Sequence, residues 1–474
     1  MSVLRKRLFR HIYRIVVSKR LHTILSFIYS LAIEELTVGG TAIRPSKHAK
    51  NNKYTILILS SKAFRKDIDC LVATNEFRVL RLPDHWQSRL IYQFYPGEFQ
   101  KFWFDTNSDH PDYKYRRVDT NPDHPDYKFK KNQKEIREFL YRFLARLYKR
   151  ISVNCVISPH PRYVVDMDWG AISTQLGVPH ILIPRDSQLA SSPYLLDYSM
   201  HLFKNGLPKF EGKHIIIQSE LDKQVYTDTG YVKPEKISSL GCPRMDDFIN
   251  KTKEKGYVTE KRRKKIVFLS FANFRFFNPE KGKFEISELL PYVNELHLFF
   301  VQFAIQHPEI DVVMKHKPKG FHRWKEEVLC EAIKGFNIDI NRIPNLIVRD
   351  GIDIHSLFIE SEVVCGLNTS AILEAAVIGL PIIIPYFKDL QNTKYEERVF
   401  YRDAYDLFDI AKDVNELESI IIDRLHNPTI DEEIMEERKA LFEKYVSSMK
   451  GDATEKYVAL IRQVVAEGGG KRVY

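Results

Sequence analysis

Short apolar runs alternate with amphipathic stretches along most of the chain, and turn residues punctuate both. Runs at 54–61 (YTILILSS), 77–83 (FRVLRLP), 153–161 (VNCVISPHP), 178–184 (VPHILIP) and 214–220 (HIIIQSE) have the length and β-branched content of buried strands. Between them, 133–151 (QKEIREFLYRFLARLYKRI) repeats its apolar positions at helical spacing. A charged, apolar-poor stretch at 250–265 interrupts the pattern, which then restarts. Strands are predicted at 264–272 (KKIVFLSFA), 310–318 (IDVVMKHKP), 345–351 (NLIVRDG), 362–367 (EVVCGL) and 380–387 (LPIIIPYF), with helices near 286–306 and 323–334. A helical tail follows from about 413 to 466.

Strands that alternate with helices build parallel sheets covered on both faces. Two such series predict an α/β chain with two Rossmann-like domains facing a central cleft, N-terminal basic helices and a C-terminal helical tail. The expected divisions are a leader over 1–50, a first domain over 51–249, a linker at 250–264, a second domain over 265–412 and terminal helices over 413–474. A chain of 474 residues is long enough for two or three cores.

Charge sharpens the picture of the leader. Of the net +10, +7 lies in the first twenty residues, MSVLRKRLFRHIYRIVVSKR, which hold no acid. The rest of the chain is near balance, which argues against a nucleic-acid surface. Leu4, Leu8, Ile12 and Ile15 recur at helical spacing, and LHTILSFIYSLAI follows, shorter than the roughly 20 residues a membrane span needs. Residues 1–35 therefore either lie on an anionic inner-membrane face or dock on the protein's own first domain. Five scattered cysteines without CxxC spacing argue against a disulfide framework and a structural zinc site, and favour a reducing, cytoplasmic setting.

One segment stands apart. DTNSDHPDYK (105–114) and DTNPDHPDYK (119–128) form a tandem repeat within a predicted insertion at 105–131. Its DxNxD start resembles a calcium loop, but His110 or His124 stands where glycine is required, and Arg116 or Lys130 where the bidentate glutamate belongs. No metal site is expected, and the plain reading is a duplicated surface insertion.

Candidate chemistry gathers where the predicted second-domain strands end. After 362–367, Asn368, Thr369 and Ser370 are small polar residues suited to capping a helix start or leaving its N–H groups to an anion. Glu374 follows one turn deeper, placed to accept ribose hydroxyls; the plain alternative is a capped helix with a surface glutamate. Lys315 and His316 end one strand within a cationic turn, and Ser270, Asn273 and Arg275 follow another. Together they suit a nucleotide phosphate better than any does alone. In the first domain, His160, Asp166, Asp168 and Asp186 are candidates for a general base, and Arg162 and Arg185 for contacts with an anion. For His160 a structural turn, and for Asp168 a helix cap, are the alternatives.

SLGCPRMDDF (239–248), LSFANFR (269–275), MKHKP (314–318) and NTSAILEAAVIGLPIIIP (368–385), in this order, resemble the motif series of bacterial GT-B surface and capsular polysaccharide glycosyltransferases. That broad group includes polysialyltransferase-like and CDP-glycerol glycerophosphotransferase-like enzymes. The resemblance spans about 215–390. It implies an interdomain motif of Gly241, Pro243, Arg244 and Asp246, donor-phosphate contacts from His316, Thr369 and Ser370, and a ribose or base contact from Glu374. Lys317 separates His316 from Pro318, a departure from the family's His-Pro pair that leaves the donor open among CMP, CDP and UDP. The expected activity is inverting, metal-independent sugar transfer from a nucleotide-sugar co-substrate, with no other cofactor, to a glycan or lipid-linked glycan acceptor. The alternatives are glycerophosphate transfer, nucleotide-sugar 2-epimerisation, or a non-catalytic glycan- or nucleic-acid-binding module.

Overall fold

The computed structural model describes residues 16–38, 41–44, 53–60, 64–91, 93–95, 129–159, 164–184, 189–254, 263–270, 289–316, 321–393 and 395–468. The tandem repeat at 105–128 lies outside them, as do His160, Arg162, Arg185, Asp186, Asn273 and Arg275.

Every strand expected from the apolar runs is present, in two sheets. The first holds β1 (Glu34–Leu36), β2 (Ala42–Ile43), β3 (Thr55–Ile58), β4 (Arg78–Arg81), β5 (Cys155–Ser158), β6 (His180–Leu182), β7 (His214–Ile217) and β8 (Ile237–Ser239), in the order β2-β1-β4-β3-β5-β6-β7-β8. From β4 to β8 all neighbours are parallel. The second holds β9 (Lys265–Leu269), β10 (Asp311–Lys315), β11 (Leu346–Arg349), β12 (Val363–Gly366), β13 (Ile382–Pro385) and β14 (Asp409–Ala411), in the order β11-β10-β9-β12-β13-β14 and parallel throughout. The two-lobed α/β architecture expected from the sequence is therefore the one observed.

Alternation along β3 shows why its residues are apolar on both faces. Leu57 faces a core shared with helix Lys130–Ile151 (Phe139, Leu140, Phe143). Ile56 and Ile58 face the opposite core, where helix Ala453–Gly468 contributes Tyr457, Ile461, Val464 and Val465. The tail thus crosses back to the first lobe, whereas helices Val414–His426 and Glu432–Tyr445 pack on the second. In the latter helix Arg438 is buried, its guanidinium donating to Leu407 O and Leu380 O at 2.8–2.9 Å. Burial pulls its pKa down to about 10 against the opposing field of Asp409.

Two expectations change. Residues 34–36 and 42–43, expected within a helical leader, form the antiparallel edge pair β1–β2, and β1 also pairs antiparallel with β4. Glu34–Arg81 and Glu35–Arg78 ion pairs hold that edge. Helix His22–Ala32 docks on the first lobe through Leu25 and Tyr29, with Tyr29 Oη donating to Trp86 O at 2.8 Å. Helix Pro243–Glu254 runs on through 250–254, shortening the linker on that side.

Candidate functional site

In the second sheet the chain adds strands to one side of β9 and then, from β12, to the other, so the loops after β9 and β12 flank the switch point where α/β sheets take ligands. Gly366 ends β12 because the backbones are too close for a side chain: an added Cβ would stand 3.0 Å from Leu269 Cβ. Asn368 follows with a left-handed φ of 52°, a conformation asparagine tolerates. Its Oδ1 accepts from Phe400 N at 2.9 Å and its Nδ2 donates to Arg398 O at 3.3 Å, so the side chain fastens the 398–400 loop. Thr369 Oγ1 accepts from Ala371 N at 3.3 Å, and Ser370 heads a helix of six residues, Ala371–Ala376, without a side-chain cap.

Glu374 is not a surface residue: it is 6% exposed. Its Oε2 accepts from His355 Nε2 at 2.9 Å, and His355 stacks on Phe248 at 4.2 Å with a 16° interplanar angle. Asp353 caps the helix that carries His355 by accepting from Ser356 N. Burial alone would raise the Asp353 carboxyl, but the Ser356 N–H and Lys66 hold it down to about 2. Lys315 ends β10 with Nζ donating to His316 O and Asp350 O, both at 2.9 Å, and burial lowers its pKa.

Two other predicted residues turn out to be engaged in the core. His316 is 4% exposed and stacks flat on Trp324 at 4.8 Å. Ser270 Oγ bonds His297 Nε2 at 2.8 Å. His297 donates from Nδ1 to Val293 O, so Nε2 is an acceptor, shared with Trp324 Nε1 at 3.3 Å. Burial pushes the His297 pKa down to about 4, keeping the ring neutral.

The first lobe meets this edge through the helix after β3, Arg65–Ala73. Lys66 pairs with Asp353 at 3.1 Å, and Asp67 takes Arg244 at 3.1–3.2 Å. The predicted interdomain motif is a junction. Position 241 needs glycine, because its φ is left-handed at 83° and a Cβ would meet Ser447 Oγ at 2.7 Å; Pro243 opens helix Pro243–Glu254. Asp246 accepts from Ala453 N and Thr454 N at 3.1 and 2.6 Å, capping the returning tail helix. Farther along, Tyr401 N donates to Ser191 O, and Arg398 lies 4.6 Å over the Tyr194 ring.

Of the two described base candidates, Asp168 lies inside helix Val164–Gln175, so it does not cap it. It receives Tyr95 Oη, Gln133 Nε2 and Arg137 Nε at 2.7–3.1 Å. Asp166, two residues away on another face, reaches the strand ends instead. Its Oδ1 accepts from Ser60 Oγ (2.9 Å) and Gln87 Nε2 (2.6 Å), groups that follow β3 and β4. Its Oδ2 has no hydrogen-bond partner among the described residues. Complete burial, with Asp84 adding repulsion, lifts the carboxyl to about 7.

Sequence reading missed His355, Lys66, Ser60 and Gln87. Only His355 had a local signal: it follows the helix-capping Asp353 just after the predicted strand at 345–351. No group of three or more metal-ligating side chains occurs among the described residues.

No family model matches the chain, and no curated protein matches it. Solved structures with a similar course include a UDP-GlcNAc 2-epimerase from Neisseria meningitidis bound to UDP-GlcNAc, at 10% identity over 87% of this chain and 100% of that one, TM-score 0.44. A glycosyltransferase from Rickettsia africae matches at 12% over 88% and 99%, TM-score 0.41. The wall teichoic acid polymerase TagF matches at 12% over 69% and 76%, TM-score 0.40. At such identities and scores these likenesses carry nothing about what this chain binds or does.

Proposed function

We propose that the protein is a glycosyltransferase that moves a sugar from a nucleotide-activated donor to a glycan or lipid-linked glycan acceptor. The donor is assigned to the second lobe and the acceptor to the first. The observation that carries this reading is the buried Glu374–His355 pair at the switch point of a parallel sheet. His355 occupies Oε2 and fixes the carboxylate, leaving Oε1 to accept a donor hydroxyl. Lys315 supplies positive charge for the leaving phosphate.

In an inverting transfer the acceptor oxygen attacks the anomeric carbon as the bond to the nucleotide phosphate breaks. The acceptor's proton must go to a base of suitable pKa. Tyr95, Gln133 and Arg137 already engage both oxygens of Asp168. Asp166 keeps an oxygen with no partner among the described residues and a pKa of about 7, so we assign it the base role, reached once the lobes close and Ser60 shifts.

A thermal-shift panel of CMP, CDP, UDP, GDP and dTDP, with Glu374→Ala alongside, tests the reading. Ligand at 100 times its Kd adds about 2.7 kcal/mol of stability. Losing a charged hydrogen bond weakens binding by about 1.5–3 kcal/mol. A selective shift reduced in the variant supports the donor assignment. CMP then points to an acidic sugar, CDP to glycerophosphate transfer and UDP to a hexose. Consumption of a UDP-sugar without acceptor would replace transfer by epimerisation. No shift with any nucleotide refutes the assignment and leaves a binding module.

A further inference from the structure

Six of the ten exposed large apolar side chains among the described residues lie between positions 21 and 43. Helix His22–Ala32 concentrates them. One face, with Leu25 and Tyr29, is buried on the first lobe, while Ile24 (48% exposed), Phe27 (48%) and Leu31 (61%) recur at helical spacing on the opposite face. An eleven-residue helix with a second apolar stripe, exposed among the described residues, has more apolar surface than its docking requires.

The neighbouring surface is cationic. Helix Lys130–Ile151, on which this helix packs, exposes Arg142, Arg146, Lys149 and Arg150 along its last turns. Arg150 Nε donates to Ser26 Oγ at 3.1 Å, and its guanidinium lies 5.7 Å from the Phe27 ring, so cation and apolar stripe are joined directly. His22 at the other end is pushed down to about 4, first by burial and then by Arg146, Arg142 and Arg20. No acid occurs before Glu34 or between 139 and 151, and Glu34 and Glu35 are paired with Arg81 and Arg78.

We propose that Ile24, Phe27 and Leu31, with Arg142, Arg146, Lys149 and Arg150 beside them, form a docking face for an anionic lipid bilayer. Apolar side chains enter the headgroup boundary while flanking cations contact lipid phosphates. A second copy of the chain fits poorly, because a two-fold pairing of this face would oppose like charges with no acid between them. Nucleic acid offers nothing to an exposed Phe-Leu-Ile stripe. Among the described residues no helix is long and apolar enough to cross a membrane, so the face lies on the bilayer. Its position is also informative: Tyr29 packs edge-on to Trp86, and the next residue, Gln87, holds Asp166. The docking face stands one helix away from the first lobe's strand ends.

The test is flotation of the full chain with vesicles of phosphatidylcholine plus phosphatidylglycerol, against phosphatidylcholine alone, at low and high salt. Two variants accompany it, Phe27→Glu/Leu31→Glu and Arg146→Glu/Lys149→Glu, all at exposed positions whose folding is checked by circular dichroism. Binding should require the anionic lipid and fall with salt. It should drop at least about tenfold in each variant, since each cation near such a surface contributes about fivefold. No binding, or binding that both variants retain, overturns the proposal; retained binding would place the contact elsewhere, such as residues 1–15 alone. A vesicle-free dimer that the Phe27→Glu/Leu31→Glu variant converts to monomer also overturns it, by showing that the face joins two copies.

Discussion

Asp166→Asn offers a prediction whose sign and size both follow from the geometry. In the unfolded chain this carboxyl ionises near 3.8; in the folded protein it does so only at about 7. Burial causes the difference, partly offset by the bonds from Ser60 and Gln87 and increased by Asp84, the other charged group beside it. Between these values the folded state holds a proton that the unfolded state has lost. Stability from this group is therefore complete below 3.8, declines as pH rises, and is lost above about 7. A gap of about three pH units at about 1.4 kcal/mol each gives roughly 4 kcal/mol as an upper value. Asparagine cannot ionise. Its Oδ1 can still accept from Ser60 and Gln87, but its amide replaces the partnerless Oδ2, a cost of about 1–3 kcal/mol that does not change with pH. The diagnostic quantity is thus the pH dependence of the difference between the two proteins. Urea unfolding at pH 4 to 8, followed by tryptophan fluorescence, should show the variant gaining on the wild type by several kcal/mol as pH rises. A difference that stays flat would mean that Asp166 is ionised in the fold, and would remove both this reasoning and its assignment as the base.

Asp246→Ala strips the cap from two N–H groups of the returning tail helix and should cost about 1–2 kcal/mol. Hydrogen exchange should locate the loss at 453–457 and in the first-lobe core that the helix covers. Arg438→Met retains the aliphatic stem but leaves Leu407 O and Leu380 O without their donor. A loss on the order of 3 kcal/mol in urea unfolding is expected, and a neutral result would mean that the cost of burying the guanidinium equals its bonds.

The fold was legible where strands are long and apolar. YTILILSS and VCGL in β3 and β12 declare themselves because both faces are buried. EEL in β1, AI in β2, ISS in β8 and DIA in β14 do not, since two- or three-residue strands leave no period to read. The edge pair also depends on arginines some 45 residues away. At the site, the sequence named Glu374 but not the partner that defines it. His355 is 19 residues earlier, on another helix, and spacing within one segment cannot reveal a contact between two helices. Ser270 and His316 illustrate the reverse case. Both stand at strand ends, where function collects, yet Trp324 and His297 draw them into the core. The spelling of a loop does not say which way its side chains turn.

The return of the last helix to the first lobe has a consequence for biosynthesis. Asp246 and its partner Ala453 are 207 residues apart, a stretch that takes roughly 10–40 s to synthesise at about 5–20 residues per second. Throughout that interval Ile56, Ile58, Ile181 and Ile216 lack the cover of Tyr457, Ile461, Val464 and Val465. The lobe made first is therefore the lobe finished last, and its nascent form presents an apolar sheet face that a ribosome-bound chaperone would recognise. A nonsense change just before Ala453 would spare most of the second lobe and cripple the first.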